Sequence, residues 1–190
     1  MTTTPPITYD PAYLPEHEAT ALFETLRATL PWQQKRMKML GRDVAFPRLM
    51  SWHGDHDYVF SGSTQEAQPW TPELAALRDR LEATTGARYN SVLANLYRDG
   101  QDSISWHADD EPGLGLAPTI ASISLGAERT FKMRHSASRL VYDVELSHGS
   151  LVVMYGSSQR EWQHSVPKRK RVTEPRINLT FRWFEPPATR

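Results

Sequence analysis

Within Ser105-Trp106-His107-Ala108-Asp109-Asp110-Glu111, ionisable side chains occupy His107, Asp109, Asp110 and Glu111. In an extended chain, residues two apart point to the same side, so His107 and Asp109 can offer an imidazole and a carboxylate to one point in space. That is metal-ligand spacing. A mononuclear iron site of the two-histidine, one-carboxylate kind needs one more histidine and keeps its other positions open for reactants. His164, in Glu161-Trp162-Gln163-His164-Ser165-Val166-Pro167, is the candidate. Read alone, a His-x-Asp tripeptide is more often a solvated turn than a site. A second stretch, Arg176-Ile177-Asn178-Leu179-Thr180-Phe181-Arg182-Trp183, alternates strictly between polar and apolar residues. On an ordinary half-exposed strand the face carrying Arg176, Asn178, Thr180 and Arg182 simply meets water. The same four residues also suit a small dicarboxylate, because guanidinium forks pair with carboxylates bidentately and neutral donors complete the shell.

Bringing His164 back to His107 and Asp109 requires a closed β architecture. The chain has 190 residues, 39% hydrophobic and 23% charged, which fits one soluble domain with a substantial core. No stretch approaches the roughly 20 apolar residues of a membrane span. Met1 to Pro6 has neither a basic start nor an apolar h-region, so the protein is read as cytoplasmic, with no membrane partner. Without cysteine there is no disulfide and no thiolate site, and any metal must use nitrogen and oxygen. Lys plus Arg equals Asp plus Glu at 22 each, so a polyanion would have to be met by local patches. Two exist, at Lys35–Arg42, where apolar residues are interleaved, and at Lys168-Arg169-Lys170-Arg171. Either is also compatible with a solvated loop.

After a loose N-terminal tail, Pro15–Leu30 reads as an amphipathic helix ended by Pro31. Thr71-Pro72-Glu73 opens a second helix, with Leu74, Leu77 and Leu81 on one stripe and Gly86 closing it. From Tyr89 onward short strands follow one another: Ser91–Tyr97, Ile104–Asp109, Thr119–Leu125, Arg129–Arg134, Leu140–Leu146, Ser150–Tyr155, Trp162–Val166 and Arg176–Phe184. Nothing between them is long enough for crossover helices. The prediction is therefore a mainly β fold with flanking helices, a jelly roll or barrel and not an open parallel sheet.

His107-Ala108-Asp109, His164 and the closing Arg176-x-Asn178-x-x-x-Arg182, with Asn95-Leu96-Tyr97 upstream, resemble the AlkB family of iron(II)- and 2-oxoglutarate-dependent dioxygenases. The resemblance runs from about Phe46 to Phe184 and is closest to the DNA-repair members that act on duplex DNA. It implies a double-stranded β-helix core over 89–190, preceded over 1–88 by helices and a nucleotide-recognition lid, all within one compact domain. It further implies iron(II) on His107, Asp109 and His164, with 2-oxoglutarate as cosubstrate and dioxygen as oxidant. Arg176 and Tyr97 would bind the distal carboxylate with help from Asn95, Asn178 and Arg182 would lie nearer the keto-acid end, and Thr180 would support them. Arg48 matches a DNA-contacting arginine. Tyr58, Phe60 and Ser61 fall in the lid, where Phe60 would stack on a flipped base, and Asp110 or Glu111 would face the base edge.

The implied activity is oxidative removal of alkyl groups from bases of alkylated DNA, or of RNA, by a monomer. Weighed against it are an oxygenase of the same machinery acting on RNA, protein or a small molecule, a non-catalytic nucleic-acid-binding jelly roll, and a zinc or manganese cupin. His17, His53, His56, His135 and His148 are left as scaffold.

Overall fold

The computed structural model describes residues 4–39, 41–60 and 63–185. Leu40 and Ser61 lie outside the described residues, as do the side chains of Met37, Met39, Arg42, Tyr58 and Phe60. In chain order the elements are β1 (Ile7–Asp10), α1 (Glu16–Thr29), β2 (Arg36–Met39), β3 (Arg42–Ala45), β4 (Leu49–Gly54), β5 (Tyr58–Phe60), β6 (Ser63–Gln65) and α2 (Pro72–Thr85). There follow β7 (Ser91–Tyr97), β8 (Ile104–His107), β9 (Ile120–Gly126), β10 (Arg129–His135), β11 (Val141–Leu146), β12 (Ser150–Met154), α3 (Ser158–Glu161), β13 (Trp162–Val166) and β14 (Arg176–Arg182).

The helix boundaries follow local chemistry. At the start of α2 the Thr71 hydroxyl accepts the Leu74 N–H at 3.3 Å, Pro72 takes the first turn, and Gly86 ends the helix at φ 70°. Leu30, the residue before Pro31, is extended at ψ 143° and ends α1, because the proline ring disfavours a helical predecessor.

Ten strands form two antiparallel sheets, one ordered β1-β12-β9-β14-β7-β4 and the other β11-β10-β13-β8. Two cores result. Leu26, Leu74, Leu81, Ile123, Leu179 and Phe181 belong to the core in which α1 and α2 pack on the larger sheet. Phe131, Met133, Leu146, Met154, Trp162 and Val166 belong to the core between the sheets. This is the double-stranded β-helix expected above.

Two features differ from the sequence reading. The tail expected to be loose contains β1, which pairs with β12 from Ile7↔Met154 to Asp10↔Leu151. Four residues are too few to announce a strand, and their stability comes from a partner far along the chain. β4 likewise pairs with β7, so the region before residue 89 supplies both edges of the larger sheet. In the basic stretch after Lys35, β2 pairs with β3 in antiparallel fashion, and β5 pairs likewise with β6.

The second basic stretch is held firmly through its backbone. The Gly100 N–H donates to Val172 O at 2.7 Å, and the Arg169 N–H donates to Gly100 O at 2.8 Å. The buried Arg129 guanidinium donates to Pro167 O at 2.7 Å. A Cβ on Gly100 would lie 1.9 Å from Arg169 O, a backbone atom with no freedom to yield alone. Gly100→Ala should therefore destabilise the fold by at least about 1–3 kcal/mol, the usual cost of overpacking. An unchanged thermal midpoint would show that the loop can move away without loss.

Candidate metal and dicarboxylate site

His107 ends β8 and faces His164 of β13 across the smaller sheet, the two being register partners. Their rings approach to 4.2 Å between centroids. Asp109, expected to lie within the strand, stands two residues beyond its end. Its placement comes from tertiary contacts: its backbone N–H donates to Gln159 Oε1 at 2.9 Å, and its Oδ2 accepts from Arg182 Nη2 at 2.8 Å and Nε at 3.2 Å. His107, Asp109 and His164 bring one potential ligand atom each to within 4.8 Å of one another, the only such group among the described residues.

Tautomer and charge favour metal binding. His107 Nδ1 lies 2.8 Å from Ser105 O, and a carbonyl can only accept, so Nδ1 carries the proton and Nε2 is left as the ligand atom. That Nε2 is 3.8 Å from Asp109 Oδ1. Burial alone would raise the Asp109 carboxyl, but the Arg182 guanidinium, then His164 and His107, hold it below the usual carboxylate range. Burial, reinforced by neighbouring His107, pushes His164 down to about 3, so its imidazole is neutral at physiological pH. Its Nδ1 is buried without a hydrogen-bond partner, and Phe131 packs 5.3 Å away.

β14 is an interior strand of the larger sheet beside this cluster, and all seven of its residues are buried. Ile177, Leu179 and Phe181 enter the helix-side core, while Arg176, Asn178, Thr180 and Arg182 line the cleft between the sheets. The solvated alternative for this polar face is thereby removed. Arg176 is 1% exposed, its guanidinium 5.1 Å above the Tyr97 ring, and Nη2 donates to Ser124 Oγ at 2.8 Å. Burial lowers it to about 10 against the opposing influence of Tyr97. Its Nε and Nη1 are buried with no partner. Asn178 donates to Ser122 Oγ at 2.7 Å and accepts from Thr180 Oγ1 at 2.9 Å.

Arg48 is only 5% exposed, donating through Nε to Asn95 Oδ1 at 2.7 Å. Such an arginine can touch only a group that enters the cleft, not a phosphate passing outside. Asp110 and Glu111 line the same cleft of about 1050 Å³, Asp110 being the more exposed. Of the histidines left as scaffold, His53 is buried between Ser51 Oγ and Pro69 O. Ser122, Ser124 and Gln159 escaped the sequence reading. Ser122 and Ser124 do leave a signal, since they are the polar positions of an otherwise apolar strand, two apart. Gln159 leaves none, because its contact with Asp109 spans fifty residues.

Residues 6–182 match the model of the 2OG-Fe(II) oxygenase superfamily. Human alpha-ketoglutarate-dependent dioxygenase alkB homolog 3 is 42% identical over 93% of this chain and 65% of its own length. Human DNA oxidative demethylase ALKBH2 is 39% identical over 87% of this chain and 68% of its own length. The solved structure of OsALKBH1 shares the fold, with a TM-score of 0.68 at 18% identity, covering 94% of this chain and 98% of that one. The chain therefore belongs to the 2OG-Fe(II) oxygenase superfamily and, within it, to the AlkB family. It spans 65% of the length of the human alkB homolog 3 that it matches.

The residues present fit the metal and cosubstrate for which the superfamily is named. Two imidazoles and a carboxylate suit iron(II). The unpartnered Nε and Nη1 of a buried arginine are the complement of a carboxylate, since an unmatched buried guanidinium would otherwise bear its full desolvation cost.

Proposed function

We propose that this protein is a dioxygenase that removes alkyl groups oxidatively from bases of alkylated DNA, with RNA as a second substrate, and that it works as a monomer. The observation that carries the reading is the shared cleft, where a three-ligand cluster and a buried, half-satisfied arginine face the same space. The preference for DNA draws on relatives named DNA oxidative demethylase. His107, Asp109 and His164 hold iron(II). Arg176 and Tyr97 take the distal carboxylate of 2-oxoglutarate, while Asn95, Asn178 and Thr180 complete the wall. Arg182 holds Asp109 in place and, with Asn178, would serve the keto-acid end. Loaded with iron(II) and 2-oxoglutarate, the site uses dioxygen to hydroxylate the N-methyl carbon, so that formaldehyde, succinate and carbon dioxide are released and the base is restored.

The base must leave the helix to reach a metal this deep, and flipping is cheapest where the lesion has already broken its pairing. Arg48 at the wall, Tyr58, Phe60 and Ser61 in the lid, and Asp110 and Glu111 at the rim receive the flipped base. Stacking on Phe60 would supply about 1–3 kcal/mol. The carboxylates accept hydrogen bonds from an exocyclic amine or favour a cationic methylated ring.

The deciding experiment loads the protein anaerobically with iron(II) and 2-oxoglutarate, then adds dioxygen and methylated single-stranded DNA, duplex DNA or RNA. Formaldehyde matched to succinate on DNA supports the reading. Succinate without formaldehyde on any nucleic acid would favour a protein or small-molecule substrate, and no turnover at all would favour a binding module.

The rigid basic loop is the phosphate contact in this scheme. Arg169 is engaged by Glu145 at 3.2 Å and lies 3.9 Å from Glu128, leaving Lys168, Lys170 and Arg171 as the candidate contacts. Replacing these three with alanine should flatten the slope of log affinity against log salt on single strands by about 2, at about 0.7 per phosphate contact. An unchanged slope would return the run to a solvated loop.

A further inference from the structure

Gln159 lies in the one-turn helix α3 and is only 6% exposed, yet both ends of its amide are engaged. Oε1 accepts the Asp109 backbone N–H at 2.9 Å, and Nε2 donates to Met154 Sδ and to Ser158 Oγ, each at 3.3 Å. These partners come from three places: the loop beyond β8, the end of β12, and α3 itself. Since α3 runs directly into β13, one side chain links the loop bearing Asp109 to the segment that delivers His164.

Asp109 needs such a link. It stands past the end of its strand, so no sheet ladder holds its backbone. Arg182 fixes Oδ2 from the β14 side, and Gln159 fixes the main chain from the α3 side. With both in place, Oδ1 is left on the side of His107 Nε2, 3.8 Å away. A buried amide whose donors and acceptor are all matched has one orientation, and inverting it would set a donor against the Asp109 N–H.

We propose that Gln159 is a positioning residue of the metal site, fixing the direction of the Asp109 carboxylate and the spacing of Asp109 from His164. The inference rests on the reading that His107, Asp109 and His164 hold a divalent metal. If Gln159 only packed α3 against the sheet, replacing it would change stability and leave the metal's surroundings alone.

The test titrates the 190-residue chain with Co(II), a spectroscopic substitute for iron(II), and follows affinity and visible absorption together with the thermal midpoint of the metal-free protein. Gln159→Leu should lower Co(II) affinity at least about tenfold, as loss of an outer partner of a ligand does. It should also alter the Co(II) spectrum, while the KM for a methylated oligonucleotide at saturating iron(II) stays unchanged. Met154→Leu, which keeps the bond to Asp109, should shift affinity less. Gln159→Met, unbranched and adaptable, serves if the leucine variant does not fold. Wild-type Co(II) affinity and spectrum in a folded Gln159 variant would overturn the positioning role. A wild-type protein that binds no Co(II) at one equivalent would overturn the ligand assignment, and the inference with it.

Discussion

Asp109→Ala should abolish 2-oxoglutarate turnover and lower the stability of the metal-free protein at the same time. The activity loss follows from removing the only carboxylate of the three-ligand group. The stability loss follows from its partner: the Asp109 and Arg182 side chains are 4% and 6% exposed and 2.8 Å apart. Truncating one member of a buried ion pair removes the opposite charge that balances the other, at about 3–5 kcal/mol. With about 2–4 °C per kcal/mol for a chain of this size, a fall of roughly 6–20 °C in thermal midpoint is expected. His107→Ala is the contrast. Its side chain is 31% exposed and stands at the end of an edge strand, so turnover should vanish with little change in the midpoint. Succinate release and thermal unfolding, measured on both variants without metal, check the pair of outcomes. An Asp109→Ala protein as stable as wild type would show that the Asp109–Arg182 pair contributes nothing net to stability. Undiminished succinate would remove Asp109 from the ligand set.

Arg176→Met should separate stability from cosubstrate binding. The wild-type guanidinium is buried with Nε and Nη1 lacking a protein partner, and a carboxylate would supply one. Replacing buried ionic groups with apolar side chains of similar size is often neutral or stabilising. The metal-free variant should therefore melt no lower than wild type. Its apparent affinity for 2-oxoglutarate should nevertheless fall, because truncating one partner of a buried, hydrogen-bonded charge pair costs about 2–5 kcal/mol, or about 30-fold to a few thousand-fold. Arg176→Lys should recover part of this, since a point charge attracts a carboxylate but cannot bind it bidentately. Succinate formation against 2-oxoglutarate concentration, beside melting curves with and without the cosubstrate, gives the comparison. Unchanged affinity in Arg176→Met would move the distal carboxylate elsewhere in the cleft.

Several parts of this protein were legible in the residues alone because nearest-neighbour physics sets them. The end of α1 before Pro31, the capping of α2 by Thr71 and Gly86, and the period-two alternation of β14 depend on sterics and hydrogen bonds within a few residues. The three-ligand group was legible too, as a resemblance in residue type and order, and the fold brings its members together. Other features belong to the tertiary structure. Whether the polar face of β14 meets water or a cleft depends on the opposite sheet, and that burial is what leaves Arg176 half-satisfied. Arg48 looks the same in sequence whether it projects from a surface or lies at 5% exposure against Asn95. β1 is too short to stand without β12. Asp109 lies beyond the reach of strand periodicity and is held by Gln159 and Arg182, fifty and seventy-three residues away. Solvation, charge pairing and the pull on a buried carboxyl all depend on which distant segments surround a group, so folding had to bring those segments together before the chemistry of the site was settled.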